Sequence, residues 1–210
     1  MIFVTAHKVI LKRAALVSGL AALGLTVLNF PLSVYAYLLV GGILVLGFFA
    51  LALFSGKEDN EISYAKHSLA GVAFAYGTAL MAHVYLPNLG IRELLFSREF
   101  ICFSLLCIIT STATEIWAHG SNASGQSTSV LDEITISLPL TLLGAAALIS
   151  AVQNETMAAR PFFYAILTGA ALLQVLNRTR SRFGITTVKL LSAVCLLVPG
   201  LIFQAYLRSQ

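Results

Sequence analysis

Charge is what this chain has least of. Only 10% of its 210 residues are Asp, Glu, Lys or Arg, whereas a soluble domain carries about a quarter. With 58% hydrophobic residues and a mean hydropathy of +0.88, the inventory cannot cover a water-exposed surface. The few charges sit in short clusters between apolar runs, and no nucleic-acid partner is expected. Cysteine is nearly as scarce: Cys102, Cys107 and Cys195 all fall inside apolar runs, with neither metal-ligand spacing nor an extracellular disulfide frame. Strict alternation of polar and apolar residues is also missing, which excludes a membrane barrel.

What the chain has instead is apolar runs of about 20 residues, the length that crosses a bilayer core as a helix. Seven are read, near 14–30, 33–54, 64–86, 99–118, 133–153, 161–177 and 185–207. Lipid offers no partner to backbone N–H and C=O groups, so each run must be helical. The fold class expected is all-α: a polytopic helical bundle with seven transmembrane helices, forming one domain over residues 1–210. Lys8, Lys12 and Arg13 before the first run imitate a signal peptide. The immediate second span makes a first helix with a basic flank the better reading.

Lys and Arg decide orientation. With the N-terminus inside, the cytoplasmic segments hold eight: Lys8, Lys12, Arg13, Lys57, Lys66, Arg178, Arg180 and Arg182. The opposite side holds four: Arg92, Arg98, Arg160 and Arg208. An N-terminus in the cytoplasm and a C-terminus outside follow, in a plasma or inner membrane. The sequons at Asn122 and Asn177 would then face the cytoplasm and read as chance matches. Small residues recur every fourth position, at Gly71, Ala75 and Ala79, at Ser137, Thr141 and Ala145, and at Ala165 and Gly169. Such rows let helices approach closely in lipid. Pro139 and Pro199 fall within runs and predict kinks.

Candidate chemistry gathers at one aqueous rim. Glu115 and His119 stand one turn apart on one helix face, and Asp132 and Glu133 open the next span at the same membrane side. The loop between them carries no Lys or Arg. Carboxylate oxygens of this kind suit Mg²⁺; ordinary helix-end electrostatics account for the same residues equally well. His67 and His83 lie at opposite ends of the third run and read as interfacial side chains. Lys189 sits too near the start of its run, with no acid in the third helix as counter-ion, to hold retinal. The basic segments "HKVILKR", with Lys8, and "NRTRSR", with Arg178, would attract anionic headgroups or the diphosphate of a lipid-like substrate, and topogenic charge alone also explains them.

Three stretches carry a family resemblance. "SYAKHSLAGVAFAYGTALMAHVY" (63–85) resembles the Ala-, Phe- and Gly-rich helix of UbiA-type membrane prenyltransferases. "FSLLCIITSTATEIW" (103–117) is similar to the helix that follows it, and residues 160–203 resemble the family's last two helices with their basic linker. The resemblance implies a UbiA-like bundle of nine helices, with a cavity open to the membrane. It also implies transfer of a prenyl group from a diphosphate donor, with Mg²⁺ held by two Asp-rich cytoplasmic motifs. The chain departs from that pattern twice: it begins after the family's second helix, without the first Asp-rich motif, and it places Glu115 and His119 at the second.

Ionising a prenyl diphosphate requires neutralising the leaving group, and half of the usual clamp is missing. The expected function is therefore an integral membrane, UbiA-like, non-catalytic protein that binds an isoprenoid lipid or a membrane-protein partner. The alternative is a Mg²⁺-dependent prenyltransferase. Its metal would rest on Glu115, His119, Asp132 and Glu133, with Lys8, Lys66 and Arg178 on the diphosphate.

Overall fold

The computed structural model describes residues 17–18, 32–54, 60–83, 90–120, 128–153 and 159–209. Among them every regular element is helical. In chain order these are α1 (Leu32–Phe54), α2 (Asn60–His83), α3 (Ile91–Phe96), α4 (Arg98–Gly120), α5 (Thr128–Gln153), α6 (Arg160–Thr179), a 3₁₀ turn (Arg180–Arg182) and α7 (Ile185–Ser209). The apolar runs beginning at residue 33 and beyond all fall on helices, the end of the run 64–86 (residues 84–86) lying outside the described residues, as does the run 14–30 apart from Val17 and Ser18. The chain divides into two compact units, Met1–Leu39 and Val40–Gln210. The first contributes the opening residues of α1, and the description below is of the second.

Packing runs in chain order: α2 against α4, α4 against α5, α5 against α6, and α6 against α7, with α4 also touching α6 and α7. The buried faces show why. On α4, Leu106, Thr110, Ala113 and Trp117 are buried; on α5, Ile136, Leu140, Leu143, Ala147 and Ala151; on α6, Phe163, Ile166, Ala170, Leu173 and Asn177. Alternating steps of three and four keep one stripe of each helix toward its neighbours. Phe162 reinforces this core from its edge, with ring contacts to Phe103, Phe163 and Phe203.

The opposite faces are just as apolar. Ile43, Leu46, Phe49 and Leu53 of α1, Leu138, Leu142 and Ile149 of α5, and Leu190, Leu197 and Leu201 of α7 are all exposed. Large contiguous apolar surface is untenable in water and is the ordinary exterior of a helix in lipid. Among the described residues three helices are long and apolar enough to cross a bilayer, over Val34–Leu53, Arg98–Ala118 and Ile134–Gln153, and α7 holds a shorter apolar stretch, Ile185–Val198. The chain is a helical membrane protein.

Two of the small-residue rows lie at contacts. Gly71 and Ala75 are buried on α2, where a Cβ on Gly71 would come 2.7 Å from the Cα and N of Ile108. Ala165 and Gly169 are buried on α6. The third row does not behave this way. Thr141 and Ala145 face outward, and α5 instead turns Gly144, Ala147 and Ala151 inward, because the Leu140 and Leu143 stripe sets its rotation. α5 continues as a helix through Pro139.

The short helix α3 has no counterpart among the apolar runs. It starts after Gly90, buries Leu94, and ends at Ser97. Ser97 Oγ donates to the Leu94 carbonyl at 2.9 Å and accepts from the Phe100 amide at 3.1 Å, so one hydroxyl closes α3 and caps the start of α4. His83, at the end of α2, contacts the Gly90 carbonyl through Nε2 at 3.1 Å. It therefore ties α2 to the start of α3 rather than standing loose at the interface.

Candidate functional site

The antiparallel pairing of α2 and α4 brings the first turns of α2 beside the last turns of α4. There His67 Nε2 lies 3.5 Å from Glu115 Oε2, both groups partly accessible; the separation marks an electrostatic contact longer than a good hydrogen bond. Glu115 is thus engaged across the helix pair. Lys66 is half-buried one residue before His67, and Arg178 is exposed in the last turn of α6. His119 belongs to the last turn of α4, and Asp132 and Glu133 to the early turns of α5. The side chains of those three, and Lys8 altogether, lie outside the described residues. Among the described residues no three His, Cys, Asp or Glu side chains converge where a metal ion could be held.

Beside the His67–Glu115 pair, α2, α4 and α7 enclose an open cleft of about 380 Å³. Its wall is mainly apolar, including Phe74, Cys107 and Leu197, with hydroxyls from Thr110, Ser111, Thr114 and Ser192. Helical spacing fixes its polar end: His67 is one turn from Gly71, and Glu115 one turn from Ser111. Gly71 matters to this geometry because it lets α2 lie against the α4 backbone, bringing the two walls together. Phe74 and Leu197 are exposed at the rim, so the cleft opens sideways into the surroundings of the helices rather than into the bundle core.

A second polar group lies within the bundle at the same end. Trp117 Nε1 donates to Asn177 Oδ1 at 3.0 Å; Asn177 Nδ2 and Gln174 Nε2 both donate to Ser137 Oγ, at 3.2 and 2.9 Å. The network links α4, α5 and α6. Sequence reading passed over it, treating Asn177 as a chance sequon. The available signal was the presence of Gln174 and Asn177, three residues apart, inside an otherwise apolar run. At 2% exposure Asn177 is a core residue, which accounts physically for why its sequon is incidental. The three cysteines are free and buried, consistent with small apolar fillers.

The region offers an apolar trough, a set of hydroxyls, and a carboxylate–imidazole pair at one end. No protein-family model, curated protein or solved structure matches the chain.

Proposed function

We propose that the protein is a seven-span, UbiA-like membrane bundle that binds an isoprenoid or a similar lipid in the cleft between α2, α4 and α7, and that it is non-catalytic. The observation that carries this reading is the cleft itself: about 380 Å³, within the range of small-ligand pockets, apolar along its length and open toward the apolar exterior. A molecule with an extended hydrocarbon chain fits such a trough, and its polar end falls beside His67 and Glu115. Engagement of Glu115 by His67 also makes it a poorer metal ligand than an unpaired carboxylate.

The test is purification from membranes followed by mass spectrometry of the retained lipid. An isoprenoid or other single-chain lipid should co-purify with the native chain and be lost from Ala193→Phe, which places a ring in the cleft from an exposed position on α7. Equal lipid content in both proteins would refute the assignment of the cleft. Mg²⁺-dependent consumption of a labelled prenyl diphosphate by the purified chain would replace the non-catalytic reading with the prenyltransferase one.

A further inference from the structure

We infer that the polar group the cleft accepts is a neutral hydrogen-bond donor, an alcohol or phenol on an apolar chain, and not a phosphate ester. The inference rests on the lipid-binding reading above and narrows its ligand. It comes from where the cleft's hydroxyl protons go. Thr110 Oγ1 donates to the Leu106 carbonyl at 2.7 Å, Thr114 Oγ1 to the Ser111 carbonyl at 2.8 Å, and Ser192 Oγ to the Lys189 carbonyl at 2.8 Å. A hydroxyl has one proton to give and two lone pairs to offer. With the protons committed to the helix backbones, these three groups, on two facing helices, offer the cleft acceptors.

Among the described residues, no Lys, Arg or His lines the cleft. The nearest cations along the helices, Lys66 and Lys189, stand one turn outward from Ala70 and Ala193, about 6 Å along the axis. From there their stems reach toward the interface. A phosphate seated against these three hydroxyls would meet lone pairs, and at the cleft's polar end it would meet the Glu115 carboxylate beside His67, at a large desolvation cost. An alcohol would satisfy an acceptor otherwise left facing hydrocarbon. Sites that hydrogen-bond a ligand hydroxyl discriminate strongly against analogues lacking it. The exposed rim at Phe74 and Leu197 lets such a molecule enter sideways from lipid.

The experiment is native mass spectrometry of the detergent-purified full chain with three probes of one chain length at equal concentration: farnesol, farnesyl methyl ether and farnesyl phosphate. Farnesol should bind roughly five- to tenfold more tightly than the ether, the worth of one net hydrogen bond, and should also exceed the phosphate. Thr110→Val with Ser192→Ala should erase the preference for farnesol over the ether while leaving ether binding intact. Thr110→Ser, which keeps the hydroxyl, should retain it and serves as the control should the double variant fold poorly. Ether binding equal to farnesol, or phosphate ahead of both, would overturn the donor assignment and leave lipid binding standing. Absence of all three adducts would overturn lipid binding in this cleft, and the donor assignment with it.

Discussion

Gly71 brings two helix backbones together where no side chain fits. A Cβ there would lie 2.7 Å from both Cα and N of Ile108 and 2.9 Å from the Cys107 carbonyl carbon, all backbone atoms that cannot move aside singly. Gly71→Ala should therefore destabilise the protein by about 1–3 kcal/mol through overpacking, read as earlier heat-induced loss of the monodisperse species in detergent. Gly77, on the same helix, has nothing within 4 Å of its would-be Cβ. Gly77→Ala should be neutral or stabilising by up to about 1 kcal/mol, the propensity difference alone, and the contrast between the two separates contact from propensity. Asn177 acts through hydrogen bonds instead. Replacing it with Ala leaves the Trp117 indole N–H without its acceptor and removes one donor from Ser137; the cost should be about 1–3 kcal/mol. A double-mutant cycle with Ser137→Ala should show coupling, since the two share a bond.

At the scale of elements, the start of α4 depends on a cap. Ser97 Oγ accepts the Phe100 amide, so Ser97→Ala should cost about 0.5–2 kcal/mol, while Ser97→Asp keeps the acceptor that caps α4 and loses only the proton given to the Leu94 carbonyl. Hydrogen exchange at residues 98–101 should rise in the Ala variant and not in the Asp variant. The same hydroxyl closes α3, so α3 should loosen as well. Helix positions were legible beforehand because an apolar run long enough to cross lipid has one backbone solution: the run 99–118 became Arg98–Gly120, and 185–207 became Ile185–Ser209. Helix α3 was not legible, because six residues carrying Arg92 and Glu93 have neither the length nor the periodicity of a helix in sequence. The only forewarning was Ser97 followed by Arg98 and Glu99, a helix start. The rotation of α5 was missed for another reason. Thr141 and Ala145 are small, but the larger stripe of Ile136, Leu140 and Leu143 wins the interior because it fills the space between α4 and α6 with close van der Waals contacts, the term that drives helix association in lipid.

For the molecule as a whole, the distribution of Lys and Arg predicts an orientation, which two positions that the fold places at opposite ends would test. Arg92 precedes the start of α4, while Arg182 follows the end of α6, which the Trp117–Asn177 bond holds beside the end of α4. Both are exposed, and the native cysteines are buried, so an introduced thiol should label over a low background. Arg92→Cys should react with a membrane-impermeant maleimide on intact cells and Arg182→Cys only after permeabilisation; the reverse pattern would invert the topology. By itself the sequence determined that the chain is helical and lives in lipid, since scarcity of charge and the length of apolar runs act locally and need no partner to be named. Only the tertiary structure decided that Glu115 answers to His67 on another helix, that Asn177 belongs to a core network, and that the hydroxyls of α4 and α7 share a cleft. Those facts depend on which helices are neighbours and how each is rotated, and both are fixed by packing between residues far apart in the chain.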